Sequence, residues 1–328
     1  MIELIGSPFD GCGRRTGSRL GPAALRMAGM PEALARLDEV MDSGDTIPLD
    51  THPLPGWAET AQLAIRAYQA LAPRVEASIR AGHIPLMMGG DHSLSMGSLA
   101  GALRATEGDL AVVWIDAHMD LNTPATSPSG NLHGMPLAAA LRMMDDAPNP
   151  HIPDARRADL DIVWQQILTT VMPEYTPKAV AWIGLRDVDP GEAANLMNIP
   201  QARAITMQEI DDKSIGNVMD ELEAWLSARN VKNVWLSFDV DALDPIYAPG
   251  TGTAVRGGLT YREGHLVAER FCRQFASSSN PYRLVGLDLV EVNPLADMNN
   301  ETAAVAVEWA CSLFGRTVLH QYKGDAAP

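Results

Sequence analysis

Covalent cross-links, long apolar runs and positive charge are all scarce in this chain. Cysteine occurs only at Cys12, Cys272 and Cys311, an odd number widely scattered, which excludes a disulfide framework or a zinc ribbon and leaves free thiols. No stretch approaches the roughly 18 consecutive apolar residues of a membrane span. The opening MIELIGSPFD has neither a basic n-region nor an apolar h-region, so we expect a soluble, cytoplasmic protein with no membrane partner. Lysine and arginine number 25 against 41 acidic residues, a net charge of −16. Such a surface repels nucleic acid and anionic membranes and favours cationic small molecules, besides keeping the protein soluble. Internal repeats, low-complexity tracts and a clear linker are missing too, so the 328 residues read as one domain, 1–328.

What is present is an alternation of short apolar runs with longer amphipathic stretches. The runs at 2–6, 84–88, 110–115, 179–185, 231–238 and 284–290 are hydrophobic enough to be buried on both faces, the mark of parallel strands. Between them, 217–229 puts Val218, Leu222, Trp225 and Leu226 on one helical face. Thr260 and Glu263 form a capping-box pattern, and the periodic stretch 301–314 ends at Gly315. The expectation is an α/β fold, three-layer α/β/α with a mostly parallel central sheet. The stretch 144–177, broken by APNPHIPD before a short helix around 160–168, reads as a surface insertion.

Four of the apolar runs end in acids and histidine: GGDHS at 89–93, DAHMD at 116–120, SFDVDALDP at 237–245 and DLVEVNP at 288–294. Ligands bind outside the carboxyl ends of strands in an open parallel sheet, so these endings should meet at one site. An extended backbone would send Asp116, His118 and Asp120 to the same side. Asp239 and Asp241 repeat the spacing and His92 adds a second imidazole, giving four carboxylates and two imidazoles. So many carboxylates together need cations. Two divalent metals, of a hard type such as Mn²⁺ given the oxygen-rich and thiolate-free set, would balance them and bring a bridging water's pKa toward neutrality. The DxD at 239–241 lacks the Gly and terminal Glu of an EF-hand. GCGRRTG at 11–17 has the wrong glycine spacing for a dinucleotide fingerprint and is treated as a loop. His52, His83, His151, His265 and His320 belong to no cluster and read as surface or structural histidines.

The segments GGDHSLSMG, DAHMDLNTPATSPSGNLHGMP, GLRDVDPGE, SFDVDALDPIYAPGTGTAVRGGLTYREG and DLVEVNP resemble the ureohydrolase superfamily, and within it the arginases, over nearly the whole chain. The resemblance implies an arginase/deacetylase-like fold, two Mn²⁺ held by His92, Asp116, His118, Asp120, Asp239 and Asp241, and hydrolysis of L-arginine to L-ornithine and urea. It implies that Asp120 takes and passes on a proton, that Glu291 pairs with the guanidinium with Thr253 near it, and that His133, outside the ligand set, is a proton shuttle or general acid. Asn122, Ser127, Ser129 and Asn131 correspond to α-carboxylate contacts, Ser127 standing where a threonine is familiar; Asp189 and Glu192 correspond to α-amino contacts. Family members are commonly trimers or hexamers, so a homo-oligomer is expected. PGTGTA departs from the usual P-A-T-G-T-P, and the stretch from His133 to Asp189 is longer than usual. The alternatives are an agmatinase or other guanidino-acid hydrolase, such as one for hydroxyarginine, and a catalytically silent family member. SPSGN and DVDPGE argue against the first, because agmatine has no carboxylate; the full ligand set argues against the second.

Overall fold

The computed structural model describes residues 1–48, 56–145, 147–278 and 280–317; His52 and His320 lie outside them. Eight strands are present: β1 (Ile2–Ser7), β2 (Val40–Asp45), β3 (Ile84–Gly89), β4 (Ala111–Ile115), β5 (Ala179–Leu185), β6 (Ala202–Thr206), β7 (Asn233–Asp239) and β8 (Arg283–Val290). They form one sheet in the order β2-β1-β3-β8-β7-β4-β5-β6, every pairing parallel. Helices cover both faces, so the three-layer expectation holds.

The period of two along each strand builds the two cores. On one face Val113 and Ile115 join Leu86, Leu236 and Phe238 beneath the helices Ile215–Ser227, Tyr261–Ala276 and Glu301–Leu313. On the other, Val112 and Trp114 pack with Trp182 and Trp235 under the helices Trp57–Arg80 and Ser95–Thr106. The capping box at Thr260 and Glu263 forms as the sequence implies, and Gly315 ends its helix at φ +103°, a left-handed position suited to glycine.

The sequence reading omits two strands, β2 and β6, and both are at the sheet's edges. Their residues are largely half-buried or exposed, so neither carries the continuous apolar run of a central strand. The stretch 144–177 also differs from its expectation. Its helix spans Asp154–Thr170 and buries Leu160, Val163, Trp164, Ile167 and Leu168 in the same core as the helix Trp57–Arg80. It is a longer helix than expected, lying in the outer layer and rooted in the core. The signal was weak because that helix presents only five buried positions among many polar ones. Among the described residues no helix is long and apolar enough to cross a membrane.

Candidate active site

The central strands β3, β8, β7 and β4 are consecutive neighbours, so the four acidic endings lie side by side at the carboxyl edge of the sheet. His92 opens a helical turn after β3, N-capped by Asp91. Asp239 is the last residue of β7 and caps the turn Val240–Ala242, which carries Asp241. DAHMD corrects the expected mechanism of convergence: β4 stops at Ile115, and the chain bends instead of running on extended. Asp116 accepts from the His118 backbone N–H at 2.7 Å, Ala117 N–H donates to Asp241 Oδ1 at 3.2 Å, and Asp120 takes φ +51°, which Asp tolerates better than most side chains. The three side chains still meet, held by tertiary hydrogen bonds.

Two groups result. His92, Asp116 and Asp120 offer ligand atoms within 4.8 Å of one another, as do Asp116, His118 and Asp241, so that Asp116 is common to both. His92 Nδ1 lies 3.0 Å from Asp116, 3.1 Å from Asp120 and 3.2 Å from Asp239; His118 Nδ1 lies 3.1 Å from Asp241 and 3.3 Å from Asp116. Yet His92 Nδ1 and Asp116 Oδ2 are buried with no well-formed hydrogen bond, an arrangement costly to leave unsatisfied. Carboxylate and imidazole atoms converging here, with His92 Nδ1 and Asp116 Oδ2 left without a hydrogen bond, suit divalent cations.

The electrostatics agree. Burial, then the neighbouring Asp116 charge, pushes the Asp120 and Asp241 carboxyls above their usual range, and burial with Asp241 and Asp116 raises Asp239 further. Burial opposes the His92 imidazolium, but contacts with Asp116, Asp120 and Asp239 hold its proton well above the usual histidine range. Against its burial, contacts with His118 and His92 hold Asp116 below its usual range, and several buried carboxylates this close cannot all ionise without compensating positive charge. Behind them, His92 stacks on Trp114 at 4.1 Å, and its Nε2 lies 2.8 Å from Ser237 Oγ. The buried Asp288 accepts from Ser95 at 2.8 Å, from the Trp235 indole at 3.0 Å and from Ser237 at 3.3 Å.

A cavity of about 380 Å³ opens over this cluster, with His92, His118, Asp120 and Asp239 in its lining. His133 lines it too, its Nδ1 3.6 Å from Glu291 Oε1; burial works against its charge, but Glu291 raises its pKa. Glu291 is 3% exposed, at φ +63°, and Oε1 accepts the His92 N–H at 2.9 Å. Thr253 lines the cavity and donates to Asp241 Oδ2 at 2.8 Å. Its loop reaches Glu291 through Gly252, where an added Cβ would sit 3.6 Å from Oε2.

The remaining expected contacts line the same cavity. Ser127 Oγ accepts from Gly130 N–H at 2.9 Å and Ser129 Oγ from Asn131 N–H at 3.2 Å, which leaves each hydroxyl proton available. Asn122 is engaged at both ends, donating to Asp189 Oδ2 at 2.7 Å and accepting from Thr126 at 2.9 Å. Asp189 and Glu192 form a reciprocal capping box on the helix Pro190–Leu196. Burial, with Asp120 and Asp189 nearby, pushes Glu192 up to about 8.

Several residues here escaped the sequence reading. Arg14 lines the cavity, so GCGRRTG is more than a loop; an arginine pair between glycines was its only signal. Asp91, inside GGDHS, binds Cys12 N–H at 2.8 Å and Ser93 N–H at 3.1 Å, and burial with Glu291 raises it to about 7. Asp187 lies 3.8 Å from His118 Nε2. Of the histidines outside the cluster, His83 lies 3.4 Å from Glu3, His151 is exposed, and His265 lies 2.8 Å from Ser312 Oγ.

Comparison with known proteins gives a consistent outcome. A family model described as "Arginase family" matches residues 1–315. The chain is 38% identical to an arginase of Staphylococcus aureus over 97% of its own length and 98% of that protein. Its structure resembles the arginase of Bacillus caldovelox, with a TM-score of 0.81, 38% identity and coverage of 97% and 99% of the two chains. It also resembles an Entamoeba histolytica arginase solved in complex with L-ornithine, with a TM-score of 0.79, 26% identity and coverage of 96% and 98%.

Proposed function

Because the chain belongs to the arginase family and is a ureohydrolase-type hydrolase, we propose that it hydrolyses L-arginine to L-ornithine and urea with two Mn²⁺ per chain. The observation that carries this reading is the cluster of four carboxylates and two imidazoles, with His92 Nδ1 and Asp116 Oδ2 buried and unbonded, under a cavity lined by Ser127, Ser129, Asn131, Asp189 and Glu192. His92, Asp116, Asp120 and Asp239 would hold one or both ions, with His118 and Asp241 completing the pair. Oxygen-rich ligands without thiolate favour Mn²⁺. When bound, the ions supply Lewis acidity that brings a water's pKa toward neutrality.

The chain's own groups do the rest. The guanidinium carbon is resonance-stabilised and cationic, so its hydrolysis needs a strong nucleophile and a proton for the departing amine. Asp120 takes the nucleophile's proton and passes it toward that amine. Glu291 pairs with the guanidinium, and Thr253 steadies Asp241 beside it. Ser127, Ser129 and Asn131 receive the α-carboxylate, with the Arg14 cation facing the same cavity, and Asp189 and Glu192 receive the α-ammonium. Asn122 orients Asp189. His133, held near Glu291, relays protons with solvent. The protein acts in the cytoplasm as a homo-oligomer, trimer or hexamer, which light scattering checks directly.

Urea release from arginine by the manganese-loaded protein, with two ions per chain by elemental analysis and activity lost to chelators, is the expected result. One ion or none in an active preparation would remove the binuclear reading. His133→Ala should lower kcat by up to about 10²-fold while both ions stay in place. Loss of metal in that variant would put His133 among the ligands instead.

A further inference from the structure

The segment 144–177 takes no part in the chemistry above, yet it reaches the substrate cavity from behind. Asn149 is buried, and its Nδ2 donates to two carbonyls of the cavity loop, Pro124 at 2.9 Å and Ser127 at 2.8 Å. Its Oδ1 accepts from His151 N–H at 2.8 Å, so both amide hydrogens and the oxygen are engaged within the protein. In the first turn of the helix Asp154–Thr170, Arg156 donates from Nη2 to Gly130 O at 3.3 Å while its guanidinium lies 3.7 Å over the Trp57 ring. Burial lowers that guanidinium's pKa to about 10, and its Nε is buried without a partner. Gly130 has φ +70°, and a Cβ there would meet Arg156 Nε and Ile152 Cδ1, each at 3.5 Å. The loop 124–130 is therefore fastened from outside at three carbonyls. Its inner face carries Ser127 and Ser129, and the Ser127 hydroxyl is set by Gly130 N–H.

The fastening is itself anchored. The helix Asp154–Thr170 is rooted in the core through Leu160, Val163, Trp164, Ile167 and Leu168 and is tied to the helix Trp57–Arg80 by Gln166, which accepts from Gln62 at 2.6 Å. Arg157 donates to Ala147 O at 2.9 Å, closing the turn that presents Asn149.

We propose that the inserted segment is a specificity buttress, in which Asn149 and Arg156 are positioning residues that hold the loop 124–130 ready for the substrate's α-carboxylate. The proposal rests on the arginase reading. A preformed loop avoids the ordering cost of binding, and the gain reaches only substrates that carry a carboxylate for Ser127 and Ser129 to meet. Selectivity for arginine over agmatine thus depends on residues that touch neither.

The test uses the full-length, manganese-loaded protein and its Asn149→Ala, Arg156→Met and Arg156→Lys variants. KM and kcat are measured for arginine and agmatine, and Ki for ornithine and putrescine. Asn149→Ala and Arg156→Met should raise KM for arginine and Ki for ornithine about 10-fold, leave kcat within about 2-fold, and leave agmatine and putrescine unchanged. Arg156→Lys, which keeps a donor and a cation, should recover part of the loss. Equal effects on both substrates, or none on either, would overturn the proposal. Hydrogen exchange of the unmodified protein gives a reading that needs no variant to fold. Amides of 124–131 should be protected without ligand and gain little from ornithine, and a loop ordered only by ornithine would overturn the buttress. An unmodified protein that prefers agmatine removes the arginase reading and this proposal with it. An arginine-selective protein whose variants stay equally selective overturns the buttress alone.

Discussion

Exchange of Asp120 for Ala should empty at least one metal position and lower kcat/KM for arginine by about 10³-fold or more, since proton transfer alone is worth about 10²–10⁴-fold. Asp120 is asked to do two things: its Oδ2 lies 3.1 Å from His92 Nδ1 in the candidate ligand cluster, and in the proposed mechanism it handles the reaction's proton. Its backbone is left-handed, at φ +51°, so Ala adds strain that Asn would not. Asp120→Asn separates the effects, because it keeps the backbone preference and shape while removing the negative charge. Metal content and urea release measured on both variants provide the check. Two retained ions with near-normal turnover in Asp120→Ala would dismantle the assignment.

The unmodified enzyme should favour arginine over agmatine by at least about 10²-fold in kcat/KM, since each mispaired polar group in a site costs about 1–3 kcal/mol. The cavity lining carries two kinds of group. In the proposed mode Ser127 and Ser129, whose hydroxyl protons are free, meet a carboxylate, whereas Asp189 supplies the negative charge for an ammonium, with the buried Glu192 capping beside it. Agmatine brings a guanidinium but no carboxylate, leaving the donors without an acceptor and the reacting carbon less well placed. Asp189→Ala should therefore weaken arginine far more than agmatine relative to the unmodified values. It also removes an N-cap, worth about 1 kcal/mol, so thermal unfolding of the variant is measured alongside. Equal or better turnover of agmatine by the unmodified protein would contradict the arginase assignment while leaving amidinohydrolase chemistry intact.

Legibility followed burial. The six strands read from sequence carry continuous apolar runs because helices cover both faces of each; β2 and β6, at the edges, have no such run and went unread. The motif residues were equally plain, since His92, Asp116, Asp239 and Glu291 stand at or just past strand ends where an open parallel sheet exposes its carboxyl edge. Arg14 and Asn149 were not legible. Each is an ordinary loop residue whose meaning depends on which loop it faces, and that contact spans 22 residues of sequence between Asn149 and Ser127.

By itself, the sequence determined the class of sheet, which acids and histidines belong to the site and their gathering at one edge, because strand periodicity and parallel connection leave few other arrangements. Tertiary structure alone decided how the groups meet. DAHMD converges through a bend fastened to Asp241 and Gly184's neighbour Ile183, whose carbonyl takes the Asp116 N–H at 3.0 Å, not through the alternation its spacing suggests. The same holds for the segment 144–177, whose place against 124–130 is fixed by side-chain hydrogen bonds to backbone carbonyls. Such bonds read no residue type in their partner, so they leave no pattern in the sequence.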